Sequence, residues 1–308
     1  MKVSVVIPCY KSKDSIRTVV SETISILQQR KNTDYEIVLV NDGSPDNTFC
    51  VLKEICADNK NIIALDLSKN FGQACAMLAG YGEITGDIIV HSDDDGQTPI
   101  DYLWKLIDKL QEGHDIVFAQ FDKKKNSLIQ NIGTWINIKT SEIFIGKPKG
   151  IHLSNFFCCK SFVIKEIIKN NNPYPFIGGL FIKSTQNFGT IKTLHRSRTH
   201  GKSNYKLKNM IGLWLNGFTA FSIVPLRIAS LLGMITALAG FGYACYLIMQ
   251  RIIHDTIPAG YTSIAAILLV VSGIIMMLLG IIGEYTGRIY LNINKIPQYI
   301  VREKINSK

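Results

Sequence analysis

Asp93, Asp94 and Asp95 stand side by side in IIVHSDDDGQTP (88–99), straight after a short apolar run that reads as a buried strand. Adjacent carboxylates repel, and the repulsion costs more as water is withdrawn. A divalent cation turns that cost into attraction, and oxygen donors of this kind suit Mg2+ or Mn2+. The cluster points to metal-assisted chemistry on a phosphorylated substrate. Asp95 and Gln97 are candidates to ligate an ion that bridges two phosphates, with Asp93 nearer a ribose or the same ion. A solvated acidic turn is the inert alternative. Asp94 is expected to point away, because successive strand residues face opposite sides.

A second group of chemically capable residues is RSRTHGKSNY (196–205), a glycine loop holding Arg196, Arg198, His200 and Lys202. Guanidinium and ammonium donors suit a pyrophosphate or a lipid phosphate. Attraction to a membrane surface is the alternative. NDGS (41–44) reads on its residue types as a tight turn. His91 and His200 are the histidines to consider for proton transfer, and neither sits in a recognisable catalytic pattern.

The elements that must position these groups alternate along the first 120 residues, as in a parallel sheet with crossover helices. Strands are expected at 3–7, 36–40, 62–67, 87–91 and 115–119, and helices near 15–30, 46–58, 72–83 and 100–112. Asp46 and Pro99 occupy helix starts. Ligands of such a sheet bind beyond the carboxyl ends of the strands. Three polar clusters fall there: Pro8-Cys9-Tyr10, Asn41-Asp42-Gly43-Ser44 and 92–97. Beyond Asp122 the pattern weakens. A basic segment holds Lys123, Lys124 and Lys125, helical spacing runs over 128–144, and a short helix (178–188) and strand (190–194) follow.

The last ninety or so residues are far more apolar than the rest. Residues 228–249 and 264–283 carry no formal charge, and helices of that length span roughly 30 Å, the thickness of a bilayer's hydrocarbon core. Two transmembrane helices are expected. Basic residues crowd the flanks, among them Arg227, Arg288 and Lys295, whereas the intervening loop 250–263 holds only Arg251. That asymmetry puts the termini and the soluble domain in the cytoplasm, on the inner face of the cytoplasmic membrane. YKLKNMIGLWLNGFTAF (205–221) has the mixed basic and apolar character of an interfacial helix. Glu284, Tyr285 and Arg288 read as interfacial anchors. The N-terminal MKVSVVIPCY is expected to open the sheet rather than act as a signal peptide.

Net charge of +10 suggests anionic partners, but no nucleic-acid motif is present and the basic residues gather beside the spans. Anionic headgroups or a phosphorylated lipid suit them better than nucleic acid. Seven cysteines without C-x-x-C spacing read as small apolar residues of a reduced domain.

VSVVIPCYK, YEIVLVNDGSPDNT, LSKNFGQACAMLAG, ITGDIIVHSDDDGQTP and RTHGKSNY together resemble glycosyltransferase family 2, and within it the polyisoprenyl-phosphate glycosyltransferase branch. The tail IIGEYTGRIYLNINKIPQY is similar to its two-span bacterial members. The resemblance covers nearly the whole chain and is weakest over 121–175. It implies an α/β GT-A (Rossmann-like) nucleotide-sugar domain over 1–200, a juxtamembrane region at 201–227, a transmembrane hairpin over 228–283 and a basic tail at 284–308. Asp93 and Asp95 match the D-x-D acids and Gln97 the following amide, with Asp94 in place of the usual small residue. The resemblance also implies that Asp42 grips the nucleotide base, that Pro8 and Tyr10 form the adjoining wall, and that Lys69 lies near the nucleotide with Asp93 and Asp94. Arg198 and Lys202 would close over the donor diphosphate. Relatives carry an arginine after the fifth strand for the acceptor phosphate. This chain has Gln120-Phe121-Asp122 there, so a lysine such as Lys124 takes over or the phosphate is held differently.

The implied reaction is inverting, metal-dependent transfer from a nucleotide-sugar, expected to be a UDP-sugar, to a polyisoprenyl phosphate such as undecaprenyl phosphate. A phosphate monoester is already anionic near neutral pH, so no strong general base is needed. Members of the branch assemble through their membrane helices, which makes a homo-oligomer an open expectation. A processive polysaccharide synthase would need more spans and a Q-x-x-R-W-type motif, and neither is seen. A non-enzymatic scaffold is disfavoured by the retained Asp42, Asp93, Asp95 and Gln97.

Overall fold

The sheet is built outward from β1 (Lys2–Cys9), whose residues after Lys2 are all buried. β2 (Asp34–Asn41) and β3 (Ile62–Leu67) extend it on one side and β4 (Ile88–His91) on the other, these four strands running parallel to one another. Strands buried on both faces must be apolar at odd and even positions alike, which explains the unbroken Val, Ile and Leu runs. In β1, Val5 and Ile7 join a core with α1 (Ile16–Leu27), α2 (Thr48–Asp58) and α4 (Leu103–Gln111). Val6 faces the other way, against α3 (Gln73–Tyr81). There the helix comes so close that a Cβ on Gly80 would lie 2.5 Å from the Val6 side chain.

The computed structural model describes residues 1–121, 146–148, 150–172, 175–193, 260–293 and 297–307, with isolated positions between 142 and 249. Beyond α4 the described elements are β5 (Ile116–Phe121), β6 (Phe157–Lys160), α5 (Ser161–Ile167), α6 (Ile177–Ser184), β7 (Phe188–Thr193), α7 (Tyr261–Ile293) and β8 (Val301–Ile305). Strand order is β7-β5-β6-β4-β1-β2-β3-β8.

α4 shows how sequence spacing fixes packing. Leu103, Trp104, Leu106, Ile107 and Leu110 share its buried face. Trp104 donates its indole N–H to the Ile26 carbonyl at 2.7 Å. Arg30 lies over the Trp104 ring at 4.4 Å and forks onto Asp108 at 2.7 and 2.6 Å, joining the end of α1 to α4.

β1–β5 all run in one direction, as expected of the first 120 residues, while the sheet as a whole is mixed, because β6 runs antiparallel between β4 and β5, and β8 runs antiparallel along β3. One expectation needs correction. The stretch 284–308, read as one basic tail, is divided: α7 continues to Ile293, and Lys295–Lys308 belongs to the same compact unit as Met1–Gly217. Charged β8 reads as a tail because it is an edge strand, held by backbone pairing and ion pairs more than by a buried face.

The second compact unit is Phe218–Asn294. Its α7 is 33 residues long and exposes Ile264, Leu268, Val271, Ile275, Leu279 and Ile282. Among the described residues, which omit several side chains of that helix, no helix is long and apolar enough to cross a membrane. The juxtamembrane region and most of the first expected span lie outside the described residues.

Candidate functional site

β1 pairs with β2 on one side and β4 on the other, so strand order reverses between β1 and β4 and leaves a crevice at their carboxyl ends. Four loops meet there and are tied to one another. Lys11, at φ +57°, donates its N–H to Ser44 Oγ at 3.1 Å, and Ser12 donates to Thr48 Oγ1 at 3.0 Å, joining the loops after β1 and β2. Asn41 Nδ2 donates to Asp66 Oδ1 at 2.7 Å, joining the ends of β2 and β3.

Asp42 is buried, and both of its oxygens are engaged: Oδ1 accepts the Phe71 N–H at 2.7 Å and Oδ2 that of Gly72 at 2.9 Å. Burial raises its pKa, and these two donors oppose the rise. Gly43 follows at φ +57°, where a Cβ would sit 2.2 Å from the Lys69 carbonyl carbon. Only glycine lets the NDGS turn press against the 68–72 loop. Lys69 Nζ lies 5.1 Å from the Phe71 ring.

The three acids separate by environment. Asp93 accepts from Gln73 Nε2 at 2.8 Å and from Asn155 Nδ2 at 3.4 Å. Burial, followed by the charges of Asp95 and Asp94, lifts its pKa to about 6. Asp94 does not point away. Its Oδ2 accepts the Tyr10 N–H at 2.9 Å, and its carbonyl accepts Ser15 Oγ at 2.7 Å. β4 has already ended at His91, so face alternation no longer governs residue 94. Burial raises its pKa too. Asp95 Oδ1 accepts the Gln97 N–H at 3.0 Å, while Gln97 Nε2 is buried and has no partner among the described residues.

The acids and Tyr10 therefore share the β1–β4 crevice, with the Tyr10 ring exposed at its rim and Pro8 buried at the end of β1. Asp42 belongs to the adjoining loop pair, linked to Asp93 through Gln73, the residue after Gly72. Arg198, Lys202, Lys124 and His200 lie outside the described residues. His91 is not available for proton transfer: it is fully buried, stacked on Phe157 at 5.3 Å, and held neutral by burial, which lowers its pKa to about 3. Cys158 and Cys159 are buried in β6, and burial raises both thiols, so they are inert packing residues.

Sequence reading missed Gln73 and Asn155, the partners of Asp93. Gln73 sits at an unremarkable helix start, and Asn155 is 62 residues away in a segment without a motif. A cavity of about 280 Å³, lined by Lys2, Glu36, Lys60, Glu83, Thr85 and Asn306 among others, lies at the opposite, amino ends of β1–β3. It touches none of these residues.

The donor set fits a hard divalent cation. Asp93, Asp95 and the Gln97 amide offer oxygen, and the hydrogen-bond partners shown for the Asp93 carboxylate are neutral amides that leave its charge in place. Among the described residues no group of three or more His, Cys, Asp and Glu side chains is placed to cage an ion unaided. Mg2+ and its like are commonly held by one or two carboxylates completed by substrate phosphates, and an open group of carboxylates is compatible with that mode of binding.

Comparison with known proteins places this geometry. Residues 4–170 match the family described as Glycosyl transferase family 2, and residues 224–289 match the description GtrB C-terminal hairpin. The chain is 30% identical to the undecaprenyl-phosphate 4-deoxy-4-formamido-L-arabinose transferase of Proteus mirabilis, over 100% of this chain and 95% of that protein. It is 32% identical to an uncharacterized glycosyltransferase of Synechocystis, over 98% of this chain and 95% of that one. Mannosyl-3-phosphoglycerate synthase from Rubrobacter xylanophilus shares the fold, with a TM-score of 0.51, 15% identity and coverage of 70% of this chain and 71% of that one. An α/β domain of GT-A type with an acidic run at its strand-order reversal, matched end to end by transferases, identifies the chain as an enzyme that belongs to glycosyl transferase family 2.

Proposed function

We propose that this enzyme is a membrane-bound, inverting, metal-dependent transferase that moves a sugar from a nucleotide-sugar, a UDP-sugar first among them, to a polyisoprenyl phosphate such as undecaprenyl phosphate. The observation that carries the proposal is the gathering of Asp93, Asp95 and Gln97 at the β1–β4 crevice of a chain aligned end to end with an undecaprenyl-phosphate sugar transferase. The outward apolar side chains of α7 and the match to a C-terminal hairpin support a membrane-embedded second unit, and the basic residues flanking the apolar runs are the ground for reading the catalytic unit as cytoplasmic.

In this reading Asp95, Gln97 and Asp93 would hold a divalent cation, which when bound would supply charge stabilisation for the departing nucleoside diphosphate. Asp94 fixes the Tyr10 backbone, so the ring stands at the crevice rim as a wall for the nucleotide. Asp42 shapes the 68–72 loop by binding two of its N–H groups, which brings Lys69 to the same edge. The acceptor phosphate is already anionic and attacks the anomeric carbon opposite the leaving group, which inverts the configuration. No base is required, consistent with a neutral, buried His91. Arg198, Lys202 and Lys124 are the proposed phosphate contacts.

A panel of nucleotide-sugars tests the proposal, each offered with undecaprenyl phosphate to the full-length enzyme in membranes. One donor should give an organic-extractable, lipid-linked sugar. A panel that yields only water-soluble products would overturn the acceptor assignment.

A further inference from the structure

We infer that the C-terminal strand β8 is a clasp on the donor-side loops and that Arg302 is a positioning residue for the transfer reaction. The inference rests on the reading that the 68–72 loop borders the donor nucleotide. β8 runs antiparallel to β3, with Asp66 opposite Glu303 and Leu67 opposite Val301 across a local register shift. Where β3 ends, the clasp takes hold of Ser68 from both sides. The Ser68 N–H donates to the Ile300 carbonyl at 2.9 Å, and the Ser68 carbonyl accepts from Arg302 Nη2 at 2.6 Å.

The other arm of the same guanidinium reaches Asp66 Oδ2 at 3.4 Å. Asp66 Oδ1 holds Asn41, whose Oδ1 in turn accepts the Ser44 N–H at 3.4 Å. One side chain thus holds the root of the loop carrying Lys69 directly and reaches the loop carrying Asp42 through Asp66 and Asn41. The planar fork of arginine can serve a carbonyl and a carboxylate together, which a single ammonium cannot do in the same geometry. The rest of β8 is anchored elsewhere: Lys53 pairs with Glu303 at 2.6 Å, Lys304 pairs with Glu83, and Asn306 donates to the carbonyls of Cys56 and Ile62. Loss of Arg302 should therefore loosen the loop without detaching the strand.

The test uses the full-length protein in nanodiscs, with UDP plus Mn2+ as the binding probe and hydrogen exchange as a second readout. Because the guanidinium is largely exposed, Arg302→Ala should weaken UDP binding about fivefold. It should also raise the donor KM with little change in kcat, and speed exchange at the Phe71 and Gly72 amides. Arg302→Lys should recover part of each effect. Lys53→Ala, which removes a strand anchor that makes no bond to Ser68 or Asp66, should change none of them. Unchanged exchange in Arg302→Ala, or equal effects in Lys53→Ala, would overturn the clasp. Faster exchange in Arg302→Ala beside a wild type that binds no UDP would support the clasp and overturn the donor reading instead.

Discussion

Asp93, Asp94 and Asp95 are neighbours in the chain and differ in what surrounds them. Asp94 is committed to the Tyr10 backbone, Asp93 sits between two amides with its pKa raised to about 6, and Asp95 caps the turn that carries Gln97. Of the three, Asp95 is where loss of charge should act most purely on catalysis. Asp95→Asn keeps an oxygen for the Gln97 N–H, so the fold should survive. Transfer should fall by about a hundredfold or more, the scale of several kcal/mol of lost charge stabilisation. Paired kcat and melting measurements check this, and near-normal turnover would remove Asp95 from the metal site. At this scale the acids were legible because their spacing is local. The role of Asp94 was not, since strand alternation was carried past the true end of β4 at His91. Nor were Gln73 and Asn155, which only the fold brings to Asp93.

At the scale of elements, β1, β2 and the turn before β4 are clamped at their amino ends by Glu36. Its carboxylate accepts from Lys2 Nζ at 2.5 Å, Ser4 Oγ at 2.6 Å, and the Thr85 N–H and hydroxyl at 2.5 and 2.8 Å. Burial alone would raise the Glu36 pKa, but these donors outweigh it and hold the group below its ordinary 4.5. An acid depressed in the folded state adds stability that is fully present above its unfolded pKa and is lost as pH falls through the folded one. Glu36→Gln should therefore cost about 1–3 kcal/mol near pH 7, and the gap from wild type should close below about pH 4.5. Denaturation at a series of pH values checks both limbs; a gap that stays constant into acid would contradict the clamp. The strands of the first 120 residues were legible because both their faces are apolar, and 62–67 matches β3 at both ends. β6 has four residues and two cysteines, and β8 is mostly charged and exposed, so neither carries a hydrophobic period that local reading can detect.

Across the whole molecule, the catalytic unit is closed by residues that follow the apolar unit in the chain, since Lys295–Lys308 returns to the sheet after Phe218–Asn294. Composition indicated that a charged α/β part and an apolar part coexist, because charge and hydropathy are additive along a sequence. It could not reveal that the last strand completes the first part, because that pairing spans more than 230 residues. Such an arrangement suits the proposed enzyme, which would take a water-soluble donor at the carboxyl ends of the strands and a lipid acceptor at a membrane. Cation-dependent transfer to that lipid is the central claim. The most direct test supplies the full-length enzyme with its labelled nucleotide-sugar and undecaprenyl phosphate, with Mg2+ or Mn2+ or with a chelator. A lipid-linked sugar and one released nucleoside diphosphate per sugar are expected, both abolished by the chelator. Transfer that proceeds undiminished in the chelator, or nucleoside diphosphate release without a lipid-linked product, would contradict the claim.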